Sequence, residues 1–275
     1  MPEAHPTRPP HAGWRFLEIL ALNALAIAQP LFDLLSGESD FFVAHDSTGG
    51  DLLLFAMILY LGLPVLMALP SLALARFAPR SAVALHGATV ALLAALLVVA
   101  PLNRFGAPGM VAVPLALLVG GLLALGLERI ALLRSFVRIL APASLLVPLS
   151  FLLLSPVSKL LRDGPVDDLG IEIRRPVPVV MLILDELPLV SLLDANGDID
   201  AALFPNFSRL AGQSHWFRNA TAVSHVTNYA VPAMLTGRYP DAVRTAIATD
   251  YPRSLFTVLG DTYDFAVIEP QTALC

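Results

Sequence analysis

VPVVMLILDEL (Val177–Leu187) is the stretch on which the fold of the carboxyl-terminal part turns. It is a near-continuous run of β-branched and aliphatic residues, opened by Pro178 and halted by the carboxylate pair Asp185-Glu186. Such a run predicts a strand buried on both faces, as in a parallel sheet. Open α/β sheets place ligand sites beyond the carboxyl ends of their strands, which makes Asp185 a candidate metal ligand. Its bland alternative is a residue that ends a strand and caps the next turn. Glu186 is either a second carboxylate orienting the site or a solvated turn residue.

Further along, HVTNYAVPAMLTGRYP (His225–Pro240) sets Thr227 just before a helical pattern that continues through Met234 and stops at Gly237. A helix start offers free N–H groups and a positive dipole end, which suits a phosphate or sulfate group. Thr is also a preferred N-cap, and a capping hydroxyl is presented at that same positive end, so the two roles are compatible. Asn228 is a candidate donor to a nonbridging substrate oxygen, with a plain turn residue as its alternative. His225 is a weaker candidate ligand or acid. The minimum constellation is a metal-ready carboxylate, Asp185, and a hydroxyl nucleophile, Thr227.

VMLILDEL, FPNFSRLA (Phe204–Ala211) and HWFRNATAVSHVTNYAVPAMLTGRYP together resemble the sulfatase-like branch of the alkaline phosphatase superfamily. The resemblance covers about the last third of the chain. It implies a first strand ending in a metal-binding carboxylate and a nucleophile ten residues before the Gly of L-T-G-x-Y-P, which is Thr227. Sulfatases carry Cys or Ser there within C-x-P-x-R; this chain has Tyr229 and Val231 where that Pro and Arg stand. Thr is instead similar to the lipid-linked phosphoglycerol and phosphoethanolamine transferases and the nucleotide phosphodiesterases. The implied cofactor is a divalent metal (zinc, manganese, magnesium or calcium) held by Asp185, Glu186 and Thr227.

Composition bounds the rest. The chain has 275 residues, 56% hydrophobic and 14% charged, with a mean hydropathy of +0.73. Soluble domains carry about 25% charged residues, so most of the deficit belongs to membrane-embedded sequence. A net charge of -5 carries no nucleic-acid footprint. The sole cysteine, Cys275, has no partner for an internal disulfide.

Residues 1–13, rich in Pro and His, read as a disordered cytoplasmic tail. Residues 14–155 read as a transmembrane domain of five helices, near Phe16–Leu35, Leu52–Leu69, Val83–Ala100, Met110–Leu127 and Ser135–Leu154. Each approaches the ~20 residues that cross a bilayer. Arg8, Arg15, Arg76, Arg80, Arg129, Arg134 and Arg138 stand before the first span, between the second and third, and between the fourth and fifth, whereas the alternate loops, residues 37–51 and 101–109, hold only Arg104. That bias predicts a cytoplasmic amino terminus and an extracytoplasmic domain after Leu154, in a bacterial inner membrane. Among the polar residues within the spans, Asn23, Gln29, Asp33 and His86 read as interhelical or interfacial, with a lipid-headgroup path as the alternative.

Residues 156–177 read as a juxtamembrane linker. Residues 178–275 alternate β and α: a strand at Val179–Asp185, a helix near Pro205–Gln213, a strand near Trp216–Ala222, the Thr227 helix, a helix near Arg253–Gly260 and a strand at Phe265–Ile268. Alternation predicts a doubly wound sheet. The expected fold is therefore a five-helix transmembrane bundle followed by an incomplete alkaline phosphatase-like α/β domain. The chain is expected to be the amino-terminal part of a longer protein and to be inactive alone.

DANGDID (Asp194–Asp200) has the start of a calcium-loop pattern, but Ile199 and Pro205 stand where Gly and Glu belong, so it reads as a polar turn. Asn206-Phe207-Ser208 and Asn219-Ala220-Thr221 match the glycosylation acceptor pattern by a short, common motif. The expected activity is metal-dependent phosphoryl transfer on lipid-linked or envelope substrates, with membrane lipids, a lipid-linked donor and an envelope acceptor as partners and no nucleic acid. An ester hydrolase and a catalytically silent interaction protein are the alternatives.

Overall fold

The computed structural model describes residues 12–106, 108–162, 169–240, 244–260 and 262–275. The chain divides into two compact units, Met1–Asp163 and Gly164–Cys275. The disordered tail expected over residues 1–13 lies almost wholly outside the described residues.

The first unit is helical, with five helices long and apolar enough to cross a membrane: Gly13–Ser36, Gly49–Leu74, Pro79–Arg104, Gly109–Arg129 and Ala131–Leu154. Each contains the corresponding expected span. Leucines such as Leu66 and Leu118 point outward and stay exposed, the pattern of a bundle whose solvent is lipid. This is a multi-pass membrane architecture. A capping box opens the second span: Thr48 Oγ1 accepts from the Asp51 N–H, and the Asp51 carboxylate accepts from the Thr48 N–H at 2.9 Å.

Two spans widen locally into π-helix, at Ala24–Ala28 in the first and Ile58–Gly62 in the second. Each widening ends two residues before a proline, Pro30 or Pro64. Proline lacks an N–H and its ring crowds the carbonyl four residues back, so a wider turn there relieves the clash. The widening has a consequence for Leu59. The Leu63 N–H bonds the Ile58 carbonyl, and the donor that would follow for Leu59 is Pro64, which has none. The Asn23 side-chain amide donates to the Leu59 carbonyl at 3.0 Å instead. Asn23 thus acts as an interhelical hydrogen-bonding residue, the first of the two roles expected for it.

The third and fourth spans lie closest together. The buried face of the fourth is Ala112, Ala116, Gly120, Ala124 and Leu127, a small residue every four positions. A Cβ on Gly120 would run into the Ala91 carbonyl and stand 2.8 Å from the Ala95 nitrogen. Small residues let helix backbones approach in this way where hydrophobic burial offers no driving force between helices. At another part of the bundle, the Phe32 and Phe151 rings stack 4.6 Å apart, with Phe42 and Phe55 against them.

The second unit departs from expectation. No strand forms among its described residues; two isolated bridges occur, Leu193 with Ile199 and Ile247 with Ala273. The strands expected at Val179–Asp185, Trp216–Ala222 and Phe265–Ile268 are not built, and so the doubly wound sheet is not seen. Val180 is 92% exposed and Leu182 77%, the reverse of a strand buried on both faces. The physical reason is that a strand exists only by pairing. The stretch after Val177 runs beside the stretch after Tyr263 in the same direction, but they are joined by side chains at their ends. The Tyr263 hydroxyl donates to the Val177 carbonyl at 2.8 Å, and Gln271 Nε2 donates to Asp185 Oδ2 at 3.3 Å, the same offset of 86 residues. Between them lies a cavity of about 450 Å³ lined by apolar side chains including Met181, Ile183, Val231 and Phe265.

The helices fare better. Pro205–Gln213 forms as expected, Thr227–Thr236 ends at Gly237 with a left-handed φ of 67°, and the last is the short Leu255–Leu259. DANGDID is a polar turn: Asp194 Oδ1 accepts from the Asn196 and Asp198 amides at 2.8 and 3.0 Å. The Asp198 amide leads in holding the Asp194 carboxyl below the usual carboxylate range, so its support for the turn is present above that range and is lost as pH falls through the lowered value.

Gly120→Ala should destabilise the bundle by about 1–3 kcal/mol, because the added methyl has no room against the Ala91 carbonyl. Gly121→Ala, whose Cβ would meet nothing within 4 Å, should leave stability within about 0.5 kcal/mol of the parent. Unfolding of the purified chain in detergent reads the difference; equal midpoints for the two variants would rule out the close approach.

Candidate functional site

Thr227 and Asp185, 42 residues apart, are brought together. The Thr227 hydroxyl donates to Asp185 Oδ1 at 3.0 Å. Asp185 is otherwise held from two sides: the Glu186 N–H donates to the same oxygen at 3.1 Å, and Gln271 Nε2 to the other at 3.3 Å. The carboxylate sits where the apolar run ends in a turn, and Glu186 adopts a left-handed φ of 54° to make that turn. A non-glycine residue there is uncommon and marks a tightly specified corner.

Thr227 is not the helix cap. Val226 takes that position with extended backbone, and Thr227 is the first helical residue. The Val226 carbonyl accepts from the Tyr229 and Ala230 amides. Among the described residues the Thr227 and Asn228 amides make no backbone hydrogen bond, as expected for the open start of a helix. A hydroxyl in a capping role would turn back to its own helix; this one turns to Asp185 instead.

The other expected residues occupy different positions. Asn228 is half-buried, with its side-chain oxygen enclosed and without a hydrogen-bond partner. Glu186 is exposed, and its carboxylate makes no hydrogen bond among the described residues; His225 is exposed and likewise joins neither Asp185 nor Thr227. Gln271 was not foreseen. A lone Gln after Pro270 carries no pattern, and only the side-by-side course of the two stretches brings it to Asp185.

The pair is open to solvent at one end of the apolar cavity, which both residues line. Chemically it is a hydroxyl whose proton already points at a carboxylate, next to two free amides. That is an acceptor beside a nucleophile, the basic requirement for a hydroxyl to attack an electrophile. A divalent cation is a different matter. Among the described residues no three His, Cys, Asp or Glu side chains gather to hold one. Asp185 and Thr227 supply two oxygen donors, whereas a protein-held catalytic cation ordinarily draws on three or more ligands. These residues alone do not fit the cation site that the family resemblance implies.

Thr227→Val and Asp185→Ala should be coupled. In a double-mutant cycle on thermal unfolding, a coupling of about 0.5–1 kcal/mol is expected for a hydrogen bond to a charged group that remains wet. Additive effects would mean the contact does not hold in solution.

Comparison of the chain with protein-family models, with curated proteins and with solved structures gave no match.

Proposed function

We propose that the chain belongs to a membrane-anchored enzyme that transfers a phosphoryl group on lipid-linked or envelope substrates, with Thr227 as nucleophile. The observation that supports this reading is the Thr227–Asp185 hydrogen bond of 3.0 Å at an open helix start. Two sequence blocks chosen for a nucleophile and a carboxylate meet without any other motif requiring it. The family resemblance adds an α/β fold for the second unit to the reading.

In the proposed reaction, Thr227 Oγ1 attacks the phosphorus of a phosphodiester. The new O–P bond forms as the ester bond to the lipid alcohol breaks. The Thr227 proton passes toward Asp185, and the departing alkoxide takes up a proton from solvent. The Thr227 and Asn228 amides stabilise the charge growing on the nonbridging oxygens. The resulting threonine phosphodiester, which keeps the headgroup alcohol, is then attacked by an acceptor hydroxyl: the acceptor's O–P bond forms as the Thr227 O–P bond breaks, and the acceptor's proton passes to Thr227 by way of Asp185. A divalent cation, where bound, supplies charge neutralisation at the phosphoryl oxygens; it needs ligands beyond Asp185 and Thr227.

The test is a trapping experiment with the protein in its membrane. With a phosphodiester lipid labelled in its headgroup phosphate and zinc, manganese, magnesium or calcium supplied in turn, label should appear on Thr227 by peptide mass spectrometry. Thr227→Ala should abolish it and Asp185→Asn should lower its rate by about 10²-fold or more. Label moving to an acceptor marks a transferase; label released as free product marks a hydrolase. Undiminished turnover by Thr227→Ala would refute the nucleophile.

In this proposal the second unit lies outside the cytoplasmic membrane, because the tail and loops on the amino-terminal side hold seven arginines and the alternate loops between spans only Arg104. A reporter active only outside, fused after Gly170, should give signal, and one fused after Arg134 should not. The opposite pattern would reverse the orientation.

A further inference from the structure

The helical unit holds a group of ionisable side chains that the proposed chemistry does not use. Arg15 and Glu18 sit one turn apart at the start of the first span, and both are buried, at 7% and 5% exposure. Glu18 Oε2 pairs with His86 Nε2 of the third span at 3.0 Å. Glu128, at the end of the fourth span, packs beside Gly87, with its Oε1 3.6 Å from where a Cβ there would lie. Arg138 of the fifth span lays its guanidinium over the ring of Trp14, 4.2 Å from the centroid. Four spans thus bring charge to one region of the bundle.

Glu18 is engaged by His86, and neither Arg15 nor Arg138 makes an ion pair with a carboxylate among the described residues. Three enclosed nitrogens in this group have no hydrogen-bond partner: Arg15 Nε, Arg138 Nε and His86 Nδ1. A guanidinium is charged at any working pH. Enclosing even one of its N–H groups, here Nε of each arginine, without an acceptor is costly. The remedy is an anion with several acceptor oxygens, for which the planar guanidinium fork is well suited. Arg15 lies in the first turn of its span and Trp14 beside it, a residue typical of the headgroup level of a bilayer. At that depth the available anion is a phosphate.

We propose that Arg15 and Arg138, which lies over the ring of the neighbouring Trp14, form a binding site for a phosphate group, and that the bilayer fills it with the phosphodiester of an anionic lipid headgroup. The site is independent of Thr227 and Asp185. Arg15 is the buried member of the pair and Arg138 the half-buried one, while the Glu18–His86 pair keeps the adjacent carboxylate from competing for Arg15.

The test uses the full chain in nanodiscs of phosphatidylcholine with increasing phosphatidylglycerol, followed by native mass spectrometry of lipids retained on release. Phosphatidylglycerol should be retained in preference to phosphatidylcholine. Arg138→Gln and Arg15→Gln should each weaken retention by about ten-fold, the loss expected for a charge-assisted hydrogen bond. Arg80→Gln, an exposed basic residue outside the group, should leave it unchanged. If Arg15→Gln fails to fold, the half-buried Arg138→Gln carries the test, with Arg138→Lys expected to restore part of the binding. A parallel arm measures thermal stabilisation by inorganic phosphate in detergent. Stabilisation lost in Arg138→Gln would support the phosphate site and show that free phosphate also fills it. Retention of phosphatidylglycerol that Arg15→Gln and Arg138→Gln leave unchanged would overturn the proposal. So would equal retention of the zwitterionic lipid.

Discussion

In hydrocarbon a backbone carbonyl without a donor has no water to turn to, and the helical unit is built around that constraint. Its sharpest instance is the Leu59 carbonyl, stranded by Pro64 and met by the Asn23 amide at 3.0 Å. Without that bond the second span would carry an orphan acceptor in its interior, a deficit of about 1–3 kcal/mol. With it, the proline is admitted, the π turn is held open, and the first two spans are fastened at a defined height. The remaining packing, including the Tyr60–Ser144 contact at 3.1 Å, follows from that alignment. A polar residue buried in a membrane bundle here repairs the backbone of its neighbour.

The second unit is held together by less. Its apolar core is the modest group Val231, Leu235, Tyr251 and Leu274. Its apolar run stays largely uncovered. What order it has near Asp185 comes from discrete hydrogen bonds: Thr227, Gln271 and the Glu186 amide converge on one carboxylate. The Asp185 position is thus specified by polar contacts and a tight turn, with little packing behind it. Chemistry built there inherits that openness.

How much of this could be read beforehand follows the range of the interactions. The five spans were legible because length and apolarity are local properties, and the Pro205–Gln213 helix and the Gly237 stop because caps and breakers act within a turn. The pairing of Asp185 with Thr227 was legible from spacing and family resemblance. The strands were not, since a β-prone run forms a strand only through backbone pairing, and the neighbouring stretch after Tyr263 reaches Val179–Asp185 only through side chains at its ends. Val226 displaced Thr227 from the cap because the threonine hydroxyl had a better acceptor 42 residues away. Gln271, the Leu59 repair and the Glu18–His86 pair depend on three-dimensional neighbours that no short window contains.

The Ala112, Ala116, Gly120, Ala124 seam has a further geometric consequence. Turning the fourth span about its axis by one residue would swing a leucine against the third span, so rotation is locked. Sliding is not locked in the same way: a shift of four residues, about 6 Å along the axis, would set small groups against small groups again. A repeating seam is degenerate in translation, like a rack whose teeth mesh at every notch. Gly120 breaks that degeneracy, because it is the seam position whose added methyl would strike the Ala91 carbonyl. In a slipped register an alanine methyl would occupy that place. One hydrogen atom in place of a methyl group thus sets the height at which the two longest-paired helices meet.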